Sequence, residues 1–319
     1  MFTKRPLLLT ALSTVGAIWS SVKVYSLCSF AYLHLVHDSC LTKYLNLRGP
    51  PSWALVTGAS DGIGKGFAEE LLHRGFNVII HGRNEQKLEN VGRALLGRWP
   101  DREVQVLVCD AATAAKDPAM LLDAVRKLQK CNIRVLVNNV GGAARPLWVR
   151  LQDYSEESAR MFLDVDCRFV PDLTRLLLPQ LIASQPALII NIGSFVSDLP
   201  APYISILGGA KAYGKAWFRS LALEMKLEGN EIEVMHVQVG MVSTSNDPRP
   251  LSLLVPSARQ MASATLDKVG CGRSEVYGYW PHELHAHMLT DMPGFIREPL
   301  LMRIVKQLKL QEEADMKNH

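Results

Sequence analysis

The stretch Thr57-Gly58-Ala59-Ser60-Asp61-Gly62-Ile63-Gly64 constrains this chain more than any other. An apolar run, Trp53 to Val56, leads into it, and a helix-forming run, Lys65 to Arg74, leads out. Glycine at 58 suits a tight turn with positive φ. Glycine at 62 leaves no side chain between the backbone and a bound phosphate, and glycine at 64 lets the helix pack close to the strand. The free N–H groups and positive dipole end of the helix then point at a pyrophosphate. Spaced glycines alone also occur in surface turns. The strand before and the helix after make this a dinucleotide-binding loop.

The spacing TGxxxGxG is similar to that of the short-chain dehydrogenase/reductase family, not to the GxGxxG of other Rossmann proteins. The longer string TGASDGIGKG resembles the membrane-bound branch of 17β-hydroxysteroid dehydrogenases and very-long-chain 3-oxoacyl-CoA reductases. Tyr277-Gly278-Tyr279-Trp280-Pro281-His282 and Met292-Pro293 resemble that branch too. The resemblance runs from about Trp53 to Phe295. It implies a Rossmann-like α/β fold with a doubly wound, mainly parallel sheet and helices on both faces. It also implies a nicotinamide cofactor held at Gly58, Ser60, Asp61, Gly62, Ile63 and Gly64. The substrate it implies is a lipid or steroid ketone or alcohol. Family members commonly form homodimers through their long helices.

Length and charge bound the rest. The 319 residues suffice for one large domain or two small ones, and a hydrophobic content of 48% permits a sizeable core. A net charge of +4 is too mild to argue for nucleic acid, and no basic run carries interleaved aromatics. The cysteines at 28, 40, 109, 131, 167 and 271 show neither metal-ligand spacing nor a disulfide pattern, so they read as thiols in a reducing compartment.

Between Leu7 and Val36 the only basic or acidic side chains are Lys23 and His34. A helix of about 20 apolar residues spans a bilayer core, so one crossing, a tilted crossing or a re-entrant hairpin fits here. A cleaved signal peptide and a buried globular helix are the rivals; export would part a nucleotide-binding domain from its cofactor. The expected organisation is a membrane anchor at 1–44, a linker at 45–52, the NADP-binding domain at 53–295 and a helical tail at 296–319. The resemblance implies the endoplasmic reticulum as the membrane.

In the nucleotide half, Asn77 to His81 reads as a buried second strand followed by Gly82-Arg83. An acidic residue at the end of this strand selects NAD, and an arginine accepts the 2′-phosphate of NADP. No acid stands at 81–83, so Arg83 favours NADP(H); the plain alternative is a solvated arginine opening the next helix. Lys65 adds positive charge near the phosphates and Asp61 opposes it. Asp110, after the third strand Val104 to Cys109, either meets adenine, as the resemblance implies, or caps a helix starting near Asp117. Ile133 to Val137 is a fourth strand. Asn138-Asn139-Val140-Gly141 resembles the family's NNxG signature, whose small residues let the cofactor ribose lie against the strand end; Asn138 is thus a candidate cofactor contact, although the first asparagine more often ties adjacent strands together.

In the reactive half, Ser155 to Ile182 reads as a long helix kinked at Pro171. The family's mid-helix asparagine, which steadies a proton-relay water, is matched by Asp166. A fifth strand, Ala187 to Ile192, ends at Ser194, which the resemblance makes the group that polarises a carbonyl. The family's tyrosine, thirteen residues later, donates a proton, and a lysine four further on binds ribose and lowers the tyrosine pKa. Here both counts land on Leu207, four before Lys211. Leucine has no proton to give. Three readings stay open: cofactor binding without catalysis; Tyr203 substituting from one helical turn earlier; or slow turnover with Ser194, Lys211 and water. Beyond a sixth strand, Glu233 to Val237, Val239-Gly240-Met241-Val242-Ser243-Thr244 resembles the family's PGxVxT turn. Val242 and Thr244 are the contacts that turn implies. Ser245 to Ser257 reads as a substrate loop, Arg259 to Val269 as a helix, and Leu300 to Leu310 as an amphipathic surface segment.

Overall fold

The computed structural model describes residues 4–141 and 146–317. In chain order the elements begin with α1 (Lys4–Ala31), β1 (Trp53–Val56), α2 (Gly62–His73), β2 (Asn77–Gly82), α3 (Glu85–Arg98) and β3 (Val104–Val108). There follow α4 (Ala111–Ala114), α5 (Pro118–Arg126), β4 (Ile133–Asn138), α6 (Glu156–Phe162), α7 (Val170–Ala183) and β5 (Ala187–Ile192). The chain closes with α8 (Ser205–Leu227), β6 (Ile232–Gln238), α9 (Ala258–Leu266), β7 (Glu275–Tyr277), α10 (Trp280–Thr290) and α11 (Gly294–Lys317).

The strands form one 7-stranded sheet in the order β3-β2-β1-β4-β5-β6-β7. Every pairing is parallel. The order reverses between β1 and β4, so the carboxyl ends of those strands open a crevice, the usual ligand position in such sheets. Helices cover both faces, which is why β2 and β5 are buried along their whole length and apolar at most positions. One core cluster joins Phe67, Leu71 and Met261 to one side of the sheet; another joins Phe169, Leu177 and Phe218 to the other.

The doubly wound, mainly parallel architecture is the expected one, and the strands fall within a residue or two of the sequence reading. Three elements differ. The short edge strand β7 stands where only a motif was read. The long helix 155–182 carries a π-helical stretch, Leu163–Phe169, directly before Pro171: Val170 N–H donates to the Val165 carbonyl five residues back, a wider winding at the point where the proline removes an N–H. The tail is a single helix from Gly294 to Lys317.

The membrane span over Leu7–Val36 is also corrected. Helix α1 ends at Ala31, Tyr32–Val36 form a π turn, and among the described residues no helix is long and apolar enough to cross a membrane. Serines, threonines, Gly16 and Lys23 dilute the apolar run, and its end folds onto the domain. Leu33, Leu41 and Tyr44 are buried. Cys40 N–H donates to the Val269 carbonyl at 2.9 Å, and the Tyr44 hydroxyl donates to Glu233 at 2.6 Å. The expected 1–44 unit thus divides into an exposed helix and a docked segment. Its first three residues and the last two of the 296–319 tail lie outside the described residues.

Candidate active site

The glycine loop is held open by contacts that tolerate no side chain. Gly58 has φ +65° and Gly62 φ +55°, the left-handed region that favours glycine. A Cβ on Gly64 would stand 2.4 Å from the Gly58 carbonyl oxygen and 2.5 Å from Asn139 Nδ2. Asn139, the second asparagine of the NNxG string, locks this turn: its Nδ2 donates to the Thr57 carbonyl at 2.9 Å, and its N–H to Thr57 Oγ1 at 2.9 Å. Ser60 is half-buried in the loop, and Ile63 packs against the core.

Asp61 caps α2, accepting from Gly62 N–H at 2.6 Å, and its other oxygen pairs with Lys87 at 2.7 Å. Burial opposes its ionisation, but hydrogen bonds from Lys87, Ser245 and Gly62 outweigh that and hold its pKa below the ordinary carboxylate value. Thr244 lies across from Gly62; a Cβ there would meet Thr244 Cγ2 at 3.2 Å. Asp61, Gly62, Lys65, Thr244 and Arg259 line a cleft of about 270 Å³ beside the α2 N-terminus. Val242 is buried one residue before that wall. Arg83, just past β2, is exposed, with no hydrogen bond or ion pair among the described residues.

Two expected cofactor residues carry structural hydrogen bonds. Asn138 is 1% exposed and its Nδ2 donates to Thr174 Oγ1 in α7 at 3.0 Å, so it ties sheet to helix. Asp110 caps the short α4, accepting from Ala112 and Thr113 N–H at 2.9 and 3.1 Å. That helix begins well before Asp117.

Around Ser194 a pocket of about 190 Å³ is lined by Phe195, Met241, Leu254, His282 and His285. His282, in the tyrosine-rich string after β7, had no role in the sequence reading. Its Nδ1 accepts from Gly240 N–H and its Nε2–H donates to the Leu254 carbonyl, both at 3.2 Å, bridging the turn after β6 to the following loop. Burial lowers its pKa. Only the aromatic clustering of that string could have flagged it.

Leu207 lies in the first turn of α8, half-buried, four residues before Lys211. Tyr203 is not on that helix, so the expected same-face geometry is lost. It precedes Ser205 in a left-handed conformation, φ +69°, and Lys309 of α11 sits 5.1 Å over its ring. Its carbonyl accepts from Val149 N–H and from the Tyr154 hydroxyl, each at 3.1 Å, which pins the strained backbone.

Lys211 is where the two departures from the family pattern meet. Its Nζ donates to Asp166 Oδ1 at 2.7 Å, and both side chains are largely buried, 15% and 7% exposed. The pair rests on Gly141, where a Cβ would stand 2.9 Å from Nζ. Asp166 is therefore not on a solvated face; the π-helical stretch turns it inward.

A doubly wound parallel sheet with a glycine-gated helix N-terminus at its switch point defines a dinucleotide-binding α/β protein. Within that class the chain belongs to the short-chain dehydrogenase family, whose pattern matches residues 52–249. A very-long-chain 3-oxoacyl-CoA reductase of Pyricularia oryzae is 32% identical over 87% of this chain and 82% of its own length. One from Neurospora crassa is 28% identical over 89% and 85%. Among solved structures, a 7β-hydroxysteroid dehydrogenase superposes with TM-score 0.68 at 20% identity, covering 82% of this chain and all of its own. An NADPH-bound short chain oxidoreductase of Pseudomonas aeruginosa PAO1, described as having an atypical catalytic center, gives TM-score 0.54 at 26% identity, over 61% and 73%.

Proposed function

We propose that this chain is a membrane-associated NADP(H)-binding short-chain dehydrogenase of the lipid or steroid ketone type whose proton-donating step is impaired. The cofactor part rests on fit. The cradle at Gly58, Gly62 and Gly64 leaves room only for backbone, the α2 N-terminus faces the cleft with Lys65 and Thr244, and Arg83 is free to meet a 2′-phosphate. Bound there, the dinucleotide supplies a hydride. Ser194, at the wall of the pocket, serves as the hydrogen-bond donor to a carbonyl oxygen. The turn's backbone at Val242 meets the carboxamide, and Thr244, in the cleft beside Gly62 and Lys65, steadies the pyrophosphate.

The observation that carries the impairment is the Lys211–Asp166 pair beneath Leu207. Leucine offers no proton, and the ammonium that should tune a phenol is engaged by a carboxylate. Tyr203 stands off the helix against Lys309 and is no substitute. Loss of general acid help costs about 10²–10⁴ in rate, or about 3–5 kcal/mol of barrier. The same pair favours a second reading, a cofactor-binding protein that works through partners without turnover.

Membrane association rests on α1. Leu9, Leu12, Val15, Ile18, Trp19, Val22, Tyr25 and Leu27 are each at least 59% exposed, and at about 100° per residue they take up roughly half of the helix circumference, with Thr10, Ser13, Thr14, Ser20 and Ser21 on the other side. A broad exposed apolar face backed by small hydroxyl side chains fits a helix that lies against lipid. The resemblance implies the endoplasmic reticulum for it, and a homodimer as the assembly.

Calorimetry with NADPH and NADPH consumption with long 3-oxoacyl-CoAs and steroid ketones test this reading. Binding with turnover at least about 100-fold below that of Leu207→Tyr supports it. Absence of NADPH binding overturns the cofactor assignment, and equal turnover of the two forms overturns the impairment. No turnover across the whole panel favours the partner-protein reading.

A further inference from the structure

Helix α10 presents three rows of side chains. His282 and His285 line the Ser194 pocket. Glu283, His287 and Asp291, spaced by four, face the N-terminal segment: Glu283 pairs with His34, Asp291 pairs with Lys23 at 2.6 Å, and His287 lines a cleft with Val22 and Tyr25. Trp280, Leu284 and Met288, again spaced by four, are exposed. At about 100° per residue, this third row sits one step round the helix from the row that meets α1. The exposed apolar row of α10 therefore borders the side of the helix that packs on the N-terminal segment.

The patch extends in both directions. In α11, Phe295 and Met302 are 79% and 55% exposed, and their spacing of seven puts them on one face. Arg303 and Lys306 are exposed beside them. Across the pocket, Leu251 and Leu253 are exposed, and the neighbouring Leu254 carbonyl is held by His282. A broad apolar patch bordered by cations fits a phospholipid surface: acyl chains receive the apolar side chains and phosphates receive the ammonium and guanidinium groups.

We infer that the outer row of α10, the first turns of α11 and the 251–254 loop form a second bilayer contact, so that the Ser194 pocket opens toward lipid. This rests on the reading that α1 is immersed in lipid. The bilayer is chosen as occupant because the patch adjoins the N-terminal segment, held there by the Lys23–Asp291 ion pair and the His34–Glu283 hydrogen bond, and is edged by Arg303 and Lys306. A long acyl or steroid ligand then enters the pocket from the membrane without crossing water.

The test uses the full chain in phosphatidylcholine–phosphatidylserine vesicles with brominated acyl chains. A bimane fluorophore is attached at Met288→Cys, at Ile18→Cys in α1, or at Leu96→Cys on α3, and the label signal of the unsubstituted chain, with its exposed Cys28 and Cys40, is subtracted. The expected result is quenching at 288 and 18 at least about threefold above that at 96. Quenching at 18 with 288 as low as 96 overturns the second contact and leaves the α1 reading standing. Quenching at neither overturns both. Phe295→Cys repeats the measurement elsewhere on the patch, so a folding defect in one variant leaves the outcome decidable.

Discussion

Around the β1–α2 turn, each position where a Cβ would collide is still glycine, and Thr57, Asn139 and Asp61 still brace the loop. Around α8 the residue expected to donate a proton is Leu207, and the neighbouring lysine is tied to Asp166. The contrast teaches that binding and proton donation are held by different kinds of structure. The first uses backbone geometry spread over three strands. The second, in the proposed reading, hangs on one hydroxyl, and a leucine in its place leaves the fold intact. The paired change is physically coherent: a largely buried ammonium deprived of a phenol partner needs another acceptor, and a carboxylate one helix away supplies it.

The largest expected effect would break the contrast. Leu207→Tyr combined with Asp166→Asn should raise ketone turnover by about 10²–10⁴-fold, with NADPH affinity little altered; stopped-flow NADPH oxidation reads it. If turnover stays flat, the reactive half has lost more than one group. Tyr203→Phe, by contrast, should leave any turnover unchanged.

Next comes a pH effect shared by both halves. Burial first, partly opposed by Asp110, lowers the His81 pKa to about 4. Burial first, then Lys211 and Lys215, lowers that of His236 to about 3. His81 Nδ1 accepts from Gly58 N–H at 3.4 Å and His236 Nδ1 meets Asn191 at 2.8 Å. Both imidazoles are neutral in the fold, so the unfolded chain binds more protons below pH 6.5. Stability is therefore full above that value and falls as pH drops toward 4. Urea titrations at pH 7 and pH 5 should differ by about 4 kcal/mol for the two together. Half that difference would mean that one ring is reached by water, and a flat profile that both are.

Two smaller effects sharpen the nucleotide side. Gly64→Ala puts a methyl 2.4 Å from the Gly58 oxygen, so it should cost about 1–3 kcal/mol in stability and weaken NADPH binding, both seen in one calorimetric series. Arg83→Ala should reduce the preference for NADPH over NADH by about tenfold, the worth of one charge-assisted hydrogen bond. If both nucleotides weaken equally, the arginine serves the fold and not the 2′-phosphate.

Much of this was open to reading in the letters. Alternation of apolar runs with helical stretches marked six strands in the right places, because a parallel sheet buried on both faces must be apolar throughout. The positive φ at Gly58 and the tight approach at Gly64 follow from a turn that admits no Cβ. The short β7 escaped because three residues carry too little periodicity. The count from Ser194 to Lys211 exposed Leu207 without any coordinates. Tyr203 would share a face with Leu207 only if the helix reached it; α8 starts at Ser205, and a residue with φ +69° breaks the register.

The sequence by itself determined the fold class, the glycine loop and the leucine that stands where the family's tyrosine is counted, since these depend on neighbours within a few residues or on fixed spacing. Only the tertiary structure decided that Asp166 reaches Lys211, that Asn138 and Asp110 serve the scaffold, and that residues 32–44 dock on the domain beneath α1. Those contacts join positions far apart in the chain. Nothing local selects such partners; the packing of helices on the sheet does.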